Sequence, residues 1–202
     1  MKINVNNWIG SLIIAISFGS VVHAQSPQGS GRAAKSIAYA PGRSGTLFDI
    51  GFYYGQSEAT ASPSAANEFK NNTSIYDIKL GYIFSEGFYL GGEYSTRNES
   101  STSTTTGTLS GGGAGAGVGY FATSGFYLRG LYRFNETFGD YKNGSGYQAD
   151  LGYMVNMTSN FFIGILISNR QITYKENKLI FGFDNWTKKE TYPFLTLGFV
   201  IN

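Results

Sequence analysis

Ile75-Tyr76-Asp77-Ile78-Lys79-Leu80-Gly81-Tyr82-Ile83-Phe84 alternates with a period of two. Tyr76, Ile78, Leu80, Tyr82 and Phe84 share one side, while Asp77, Lys79 and Gly81 share the other. Successive side chains of a strand point to opposite faces, whereas a helix repeats about every 3.6 residues. The segment predicts a strand with one apolar face and one face of charge and glycine.

The same pattern recurs along the chain in residues 46–56, 88–95, 109–121, 126–135, 147–155, 161–170 and 194–201, which makes eight runs. In 46–56, Phe48, Ile50, Phe52 and Tyr54 oppose Leu47, Asp49, Gly51, Tyr53 and Gly55. In 126–135, Phe126, Leu128, Tyr132 and Phe134 oppose Tyr127, Arg129, Leu131, Arg133 and Asn135. A strand of about ten residues, tilted, is long enough to cross a bilayer. The fold class expected is all-β: a closed, antiparallel, eight-stranded transmembrane up-and-down β-barrel. Closure is required because the hydrocarbon core cannot solvate an open strand edge.

The connections carry a separate signal. Ser85-Glu86-Gly87, Ala122-Thr-Ser-Gly125 and Asn156-Met-Thr-Ser-Asn160 read as tight turns. The connections near 57–74, 97–108, 136–146 and 175–190 are longer and polar. Short turns alternating with long loops place the turns and both termini in the periplasm and the loops outside. Aromatics on the apolar face gather near both strand ends. Phe48, Phe84, Phe88, Tyr120, Phe126, Phe161 and Phe199 lie near the turns; Tyr54, Tyr76, Tyr94, Phe134 and Tyr147 lie near the loops. These are the two interfacial girdles of a membrane barrel.

Composition agrees. Charged residues are 14 % of the 202, against about 25 % in a typical soluble domain. Aromatics reach 16 %, and there are 28 glycines. A net charge of +2 gives no footprint for nucleic acid. Residues 1–24 carry Lys2, an apolar core over 9–18 and Val22-His23-Ala24, the pattern of a secretory signal peptide cleaved after Ala24. Residues 25–44 are small, polar and Gly/Pro-bearing, which predicts a flexible periplasmic leader. Residues 45–202 form the barrel domain.

By this register Asp49, Asp77, Lys79, Glu93, Arg97, Arg129, Arg133, Asp150 and Arg170 point inward, four acids against five bases. A barrel of eight strands is wide enough only for its own side chains. Isolated buried ions are costly, so these groups are expected to form an interior charge network. Gly111, Gly113, Gly115, Gly117 and Gly119 leave one stretch of wall bare, making room for large neighbours such as Arg129 and Arg133. No Gly-Lys-Ser/Thr follows to make this a phosphate loop.

Catalysis has little to work with. The chain has no cysteine, and its one histidine, His23, is lost with the signal. The usual general base and thiol nucleophile are therefore missing, and the chain reads as a non-enzyme with no cofactor and no metal site. Phe181, Phe183, Trp186, Lys188 and Lys189 make an aromatic and basic stretch suited to a loop contact with lipopolysaccharide or a host surface.

Taken together, the signal, the eight runs, the loop asymmetry and the ending Phe194-Leu-Thr-Leu-Gly-Phe-Val-Ile-Asn202 resemble the small OmpA/OmpX-type outer-membrane barrel superfamily. The resemblance implies a monomer in the outer membrane of a Gram-negative cell, inserted by the barrel-assembly machinery and bathed in lipid and lipopolysaccharide. It implies a structural or surface-interaction role through the extracellular loops, such as envelope integrity, adhesion or immune evasion. The alternative is a porin-like, narrow channel for ions or small solutes, gated by the interior charges.

Overall fold

The computed structural model describes residues 44–60, 68–101, 107–182 and 184–201. The expected signal peptide (1–24), most of the leader, the Ser/Thr tract 102–106 and Phe183 lie outside them. Nine strands follow in order: β1 Gly45–Thr60, β2 Glu68–Ile83, β3 Phe88–Ser101, β4 Thr108–Phe121, β5 Phe126–Phe138, β6 Tyr141–Asn156, β7 Phe161–Tyr174, β8 Glu176–Asn177 and β9 Trp186–Ile201. β8 is a two-residue ribbon against β6. The other eight pair antiparallel with their neighbours, β9 joins β1, and β5 joins β6, so the sheet closes into an eight-stranded barrel.

The distribution of residues is inverted relative to a water-soluble barrel. Leu80 is 59 % exposed and Val118 62 % exposed, while Arg129 and Arg133 inside are each 1 % exposed. A contiguous outer surface of Ile, Leu, Val and Phe belongs against hydrocarbon, and the wall is that of a membrane-spanning barrel. The aromatic girdles are built as cross-strand pairs. Phe88–Tyr120 (ring centroids 5.7 Å), Phe126–Tyr153 (4.8 Å) and Phe161–Phe199 (5.1 Å) ring the turn end. Phe52–Tyr76 (5.1 Å) and Tyr132–Tyr147 (5.6 Å) ring the other. Such pairs stabilise a sheet beyond the area they bury.

Two of the tight turns repeat one geometry. Phe84 N–H donates to Phe88 O (2.7 Å) and Gly87 N–H to Phe84 O (2.9 Å). Ala122 and Gly125 make the equivalent bonds at 2.8 and 3.0 Å. Gly87 (φ 90°) and Gly125 (φ 94°) occupy a left-handed conformation that side chains disfavour.

The polar connections are shorter than their composition suggests. The expected loop 136–146 is instead a hairpin turning on Gly139 and Asp140, with strand on both sides. The register of β5 against β6 shifts between Arg133 and Glu136 and again before Phe138. Asn135 (φ 54°) sits in the left-handed region and is exposed, so it points outward although alternation predicted the reverse. One extra residue at a bulge inverts the facing of everything beyond it. Glu136 and Phe138 thereby turn inward. Likewise Trp186, Lys188 and Lys189 begin β9 rather than occupying a loop. Polar residues stay in strands here because the outer face of the wall meets polar surroundings above the girdle.

One seam is short. β1 and β9 pair from Thr46↔Ile201 to Phe52↔Leu195, while β1–β2 continues to Thr60↔Glu68 and β7–β9 to Tyr174↔Trp186. Pro193 lies two residues past the last β1–β9 pair and has no N–H to extend the ladder. Rings close the inner side of the gap, Tyr53 lying 4.8 Å from Tyr192 and 6.0 Å from Phe194.

Facing is directly testable with adjacent cysteines. Ile165 is 53 % exposed and Leu166 is 1 % exposed. Ile165→Cys is expected to react with a lipid-soluble maleimide in bilayers and Leu166→Cys to stay unlabelled. Equal labelling of the two would break the assigned register.

Candidate functional site: the charged lumen and its outer rim

The turn end of the lumen is apolar. Leu47, Ile83, Tyr89, Phe121, Tyr127, Met154, Phe162 and Val200 are buried together. Several rings lie flat on glycines of the wall: Tyr89 against Gly81 and Gly91, Tyr127 against Gly152, Phe162 against Gly198. Any side chain at those glycines would collide with the ring. Phe121 and Tyr127 stack at 4.9 Å and 12°. Apart from the Tyr89 and Tyr127 hydroxyls this floor is apolar, one end of a face on which the alternation mixed Leu47 and Tyr127 with charges and glycines.

Charges begin directly above it. Arg129 lies 3.2 Å from Asp49 and 3.3 Å from Asp150, with its guanidinium 4.8 Å from the Tyr127 ring. Gln148 then ties this level to the next, donating to Asp150 (2.8 Å) and to Glu93 (3.0 Å). Glu93 is the hub. It pairs with Lys79 (3.3 Å), Arg170 (3.3 Å) and Arg133. Asp77 accepts from Lys79 (3.1 Å), Arg170 (2.6 Å) and the Ser95 hydroxyl (2.7 Å). All are almost fully buried.

The bare wall of β4 is what admits these groups. A Cβ at Gly119 would stand 2.7 Å from Arg129 Cγ, and one at Gly115 would stand 3.1 Å from Arg133 Cδ. At Gly113 it would strike the Glu136 carboxyl group.

A second cluster lies at the end of the lumen away from the tight turns. Arg97 donates to both Glu190 oxygens (2.6 and 2.7 Å) and pairs with Glu99. Lys188 bridges Glu99 and Glu190, each at 2.7 Å. The Tyr192 hydroxyl donates to Glu190 at 2.8 Å. Phe138 lies beneath Lys188 (3.8 Å) and Arg97 (4.8 Å), and Tyr141, Tyr174 and Trp186 pack beside it. This cluster fastens the upper half of β9, which lacks a β1 partner, to β3 across the lumen.

All nine inward charges predicted from the sequence therefore fall inside the wall and within these contacts. Of the five predicted loop residues, Trp186 and Lys188 turn into the rim cluster. Lys189 and Phe181 are exposed, and Phe183 lies outside the described residues. Glu99, Glu136, Gln148 and Glu190 complete the network, and sequence reasoning passed over them. Glu99 continues the alternation Glu93-Ser95-Arg97, and Glu190 that of Phe194 and Tyr192. Extending the period past the apolar band would have found both. Glu136 follows the bulge, so periodicity misplaces it.

Truncating one member of a buried ion cluster leaves its partners unpaired, at a cost of about 3–5 kcal/mol. Glu93→Ala takes one carboxylate from Lys79, Arg133 and Arg170 at once and leaves three cations to share Asp77 and Glu136. It is expected to destabilise the barrel by about that amount, measured by urea unfolding in bilayers, and Glu93→Gln by less. A loss below about 1 kcal/mol for Glu93→Ala would show that the hub does not hold the core.

No family model matches the sequence, and no curated protein matches it. Among solved structures the chain is similar to the outer membrane protein AlkL, determined by solid-state NMR in DMPC lipid bilayers. The identity is 14 %, the match covers 86 % of this chain and 97 % of that one, and the TM-score is 0.40.

Proposed function

We propose that this membrane barrel resides in an outer membrane and acts through its outer end, as a structural and surface-contact protein. One observation carries the reading: the lumen is occupied along its length. An apolar floor, a connected ion lattice and an aromatic-cation rim succeed one another. A wall that narrow, filled by its own side chains, is a rigid post rather than a conduit. The parts left free to make contacts are the exposed connections beyond the upper girdle.

The remaining assignments follow from the sequence. A signal peptide cleaved after Ala24 delivers the chain, the barrel-assembly machinery inserts it, and it stands as a monomer among lipid and lipopolysaccharide. Termini and tight turns face the periplasm. Catalysis has no part in the reading, since the only histidine falls in the signal segment and there is no cysteine.

The competing role, a narrow channel gated by the interior charges, requires the Glu93 hub to part. Single-channel recording separates the two. The wild-type protein is expected to give no reproducible conductance steps in planar bilayers. Glu93→Ala and Arg133→Ala are expected to introduce noise or steps by loosening the lattice. Regular steps from the wild-type barrel, altered in size by either substitution, would establish the channel instead.

A further inference from the structure

The charges of the lumen fall into three levels, and one of them does not balance. At the rim, Arg97 and Lys188 face Glu99 and Glu190. In the middle, Lys79, Arg133 and Arg170 face Asp77, Glu93 and Glu136. Just above the apolar floor, Asp49 and Asp150 share the single guanidinium of Arg129, at 3.2 and 3.3 Å. Lys79 stands opposite Asp49 on the β1–β2 ladder, yet its ammonium is engaged by Asp77 and Glu93. With its groups ionised, this lowest level carries one negative charge more than it can pair.

The excess coincides with a concentration of buried polar atoms that have no hydrogen-bond partner. Asp49 Oδ1, Asp150 Oδ2, the Tyr127 hydroxyl, and Arg129 Nε and Nη2 all belong to it. These groups come from β1, β5 and β6 and meet at the same guanidinium. The two carboxylates approach its Nη1 and Nη2, and the Tyr127 ring lies 4.8 Å from it. The Tyr127 hydroxyl rests against Gly152, the inward position next to Asp150 on β6. Thr196, whose hydroxyl is likewise unpartnered, lies one inward position from Gly198, the β9 partner of Asp49. Buried polar groups nearly always find a partner, and an uncompensated charge away from water is costly.

We infer that Asp49, Asp150 and Tyr127 hold one small monovalent cation of the sodium class beside Arg129. Carboxylate and hydroxyl oxygens are the donors that hard cations take. One positive charge neutralises the level, whereas a divalent ion would reverse its sign. Two carboxylates are also fewer than a calcium cage commonly uses. The apolar floor below and the ion lattice above enclose the ion. It is therefore taken up as the wall closes, and its binding is coupled to folding.

The test is reversible urea unfolding of the full-length mature protein in phosphatidylcholine liposomes. Sodium chloride is exchanged for choline chloride at constant ionic strength and pH, choline being too bulky for the site. For a single site, the folded-to-unfolded ratio is expected to rise about tenfold with each tenfold rise in sodium above its dissociation constant. Asp49→Asn removes the excess charge. It is expected to abolish the sodium dependence and, in choline, to be at least as stable as the wild type. Asp77→Asn, in the balanced middle level, is expected to be less stable in both salts and to keep the sodium dependence. Heat-modifiable gel mobility verifies that each variant is folded. Equal wild-type stability in sodium and choline would overturn the inference. So would an Asp49→Asn variant that still responds to sodium, or one as destabilised in choline as Asp77→Asn. Stability that falls with rising pH yet ignores sodium would assign the missing charge to a proton, and the cation site then falls.

Discussion

Every peptide group that crosses a bilayer must find its hydrogen-bond partner within the protein, because hydrocarbon offers none. In this chain the closed ladder from β1 around to β9 meets that demand, and most other features follow from it. Closure at eight strands fixes a lumen only as wide as side chains. The alternation of the pleat then sends half the residues toward lipid and half into that narrow space. The outward half is Ile, Leu, Val, Phe and Tyr; the inward half must fill a small volume without leaving a charge alone.

Two devices fill it. Glycines remove side chains where a large neighbour needs room, as Gly119 does for Arg129 and Gly81 and Gly91 do for Tyr89. Opposite charges then share the space. Glu93 contacts cations from β2, β5 and β7, so one carboxylate joins three parts of the wall. Such a cluster contributes rigidity mainly through what its loss would cost, since each member would leave others uncompensated. The apolar floor and the aromatic rim keep water from the lattice at its two ends and strengthen its electrostatics.

The ladder is weakest where Pro193 interrupts it. Above Phe52 and Leu195 the β1–β9 seam has no continuing pairs, and both strands continue with one partner each. Arg97, Glu190, Glu99 and Lys188 sit at that height and bind β9 to β3 through the lumen. Ion pairing thus takes over where backbone pairing ends. Proline and lysine on such an edge also discourage pairing with a foreign strand.

Strand number, the facing of each strand and the tight turns at Gly87 and Gly125 were all legible from the chain alone. They are local consequences of a wall between two environments, and a period of two records them residue by residue. Inward charges could be identified for the same reason. Their partners could not, because Arg170 reaches Asp77 across 93 residues and only closure of the barrel brings them together. Nor did polarity separate loop from strand above the girdle, where the outer face turns polar as well and alternation loses its contrast. Asn135 shows the limit most clearly: a single bulge turned Glu136 and Phe138 inward against the pattern. The amino-acid sequence by itself determined a barrel with a polar lumen and an apolar outside. Tertiary structure decided which charges meet, which polar segments remain strand and which side chains stand free at the rim, because those depend on distances that only the closed wall sets.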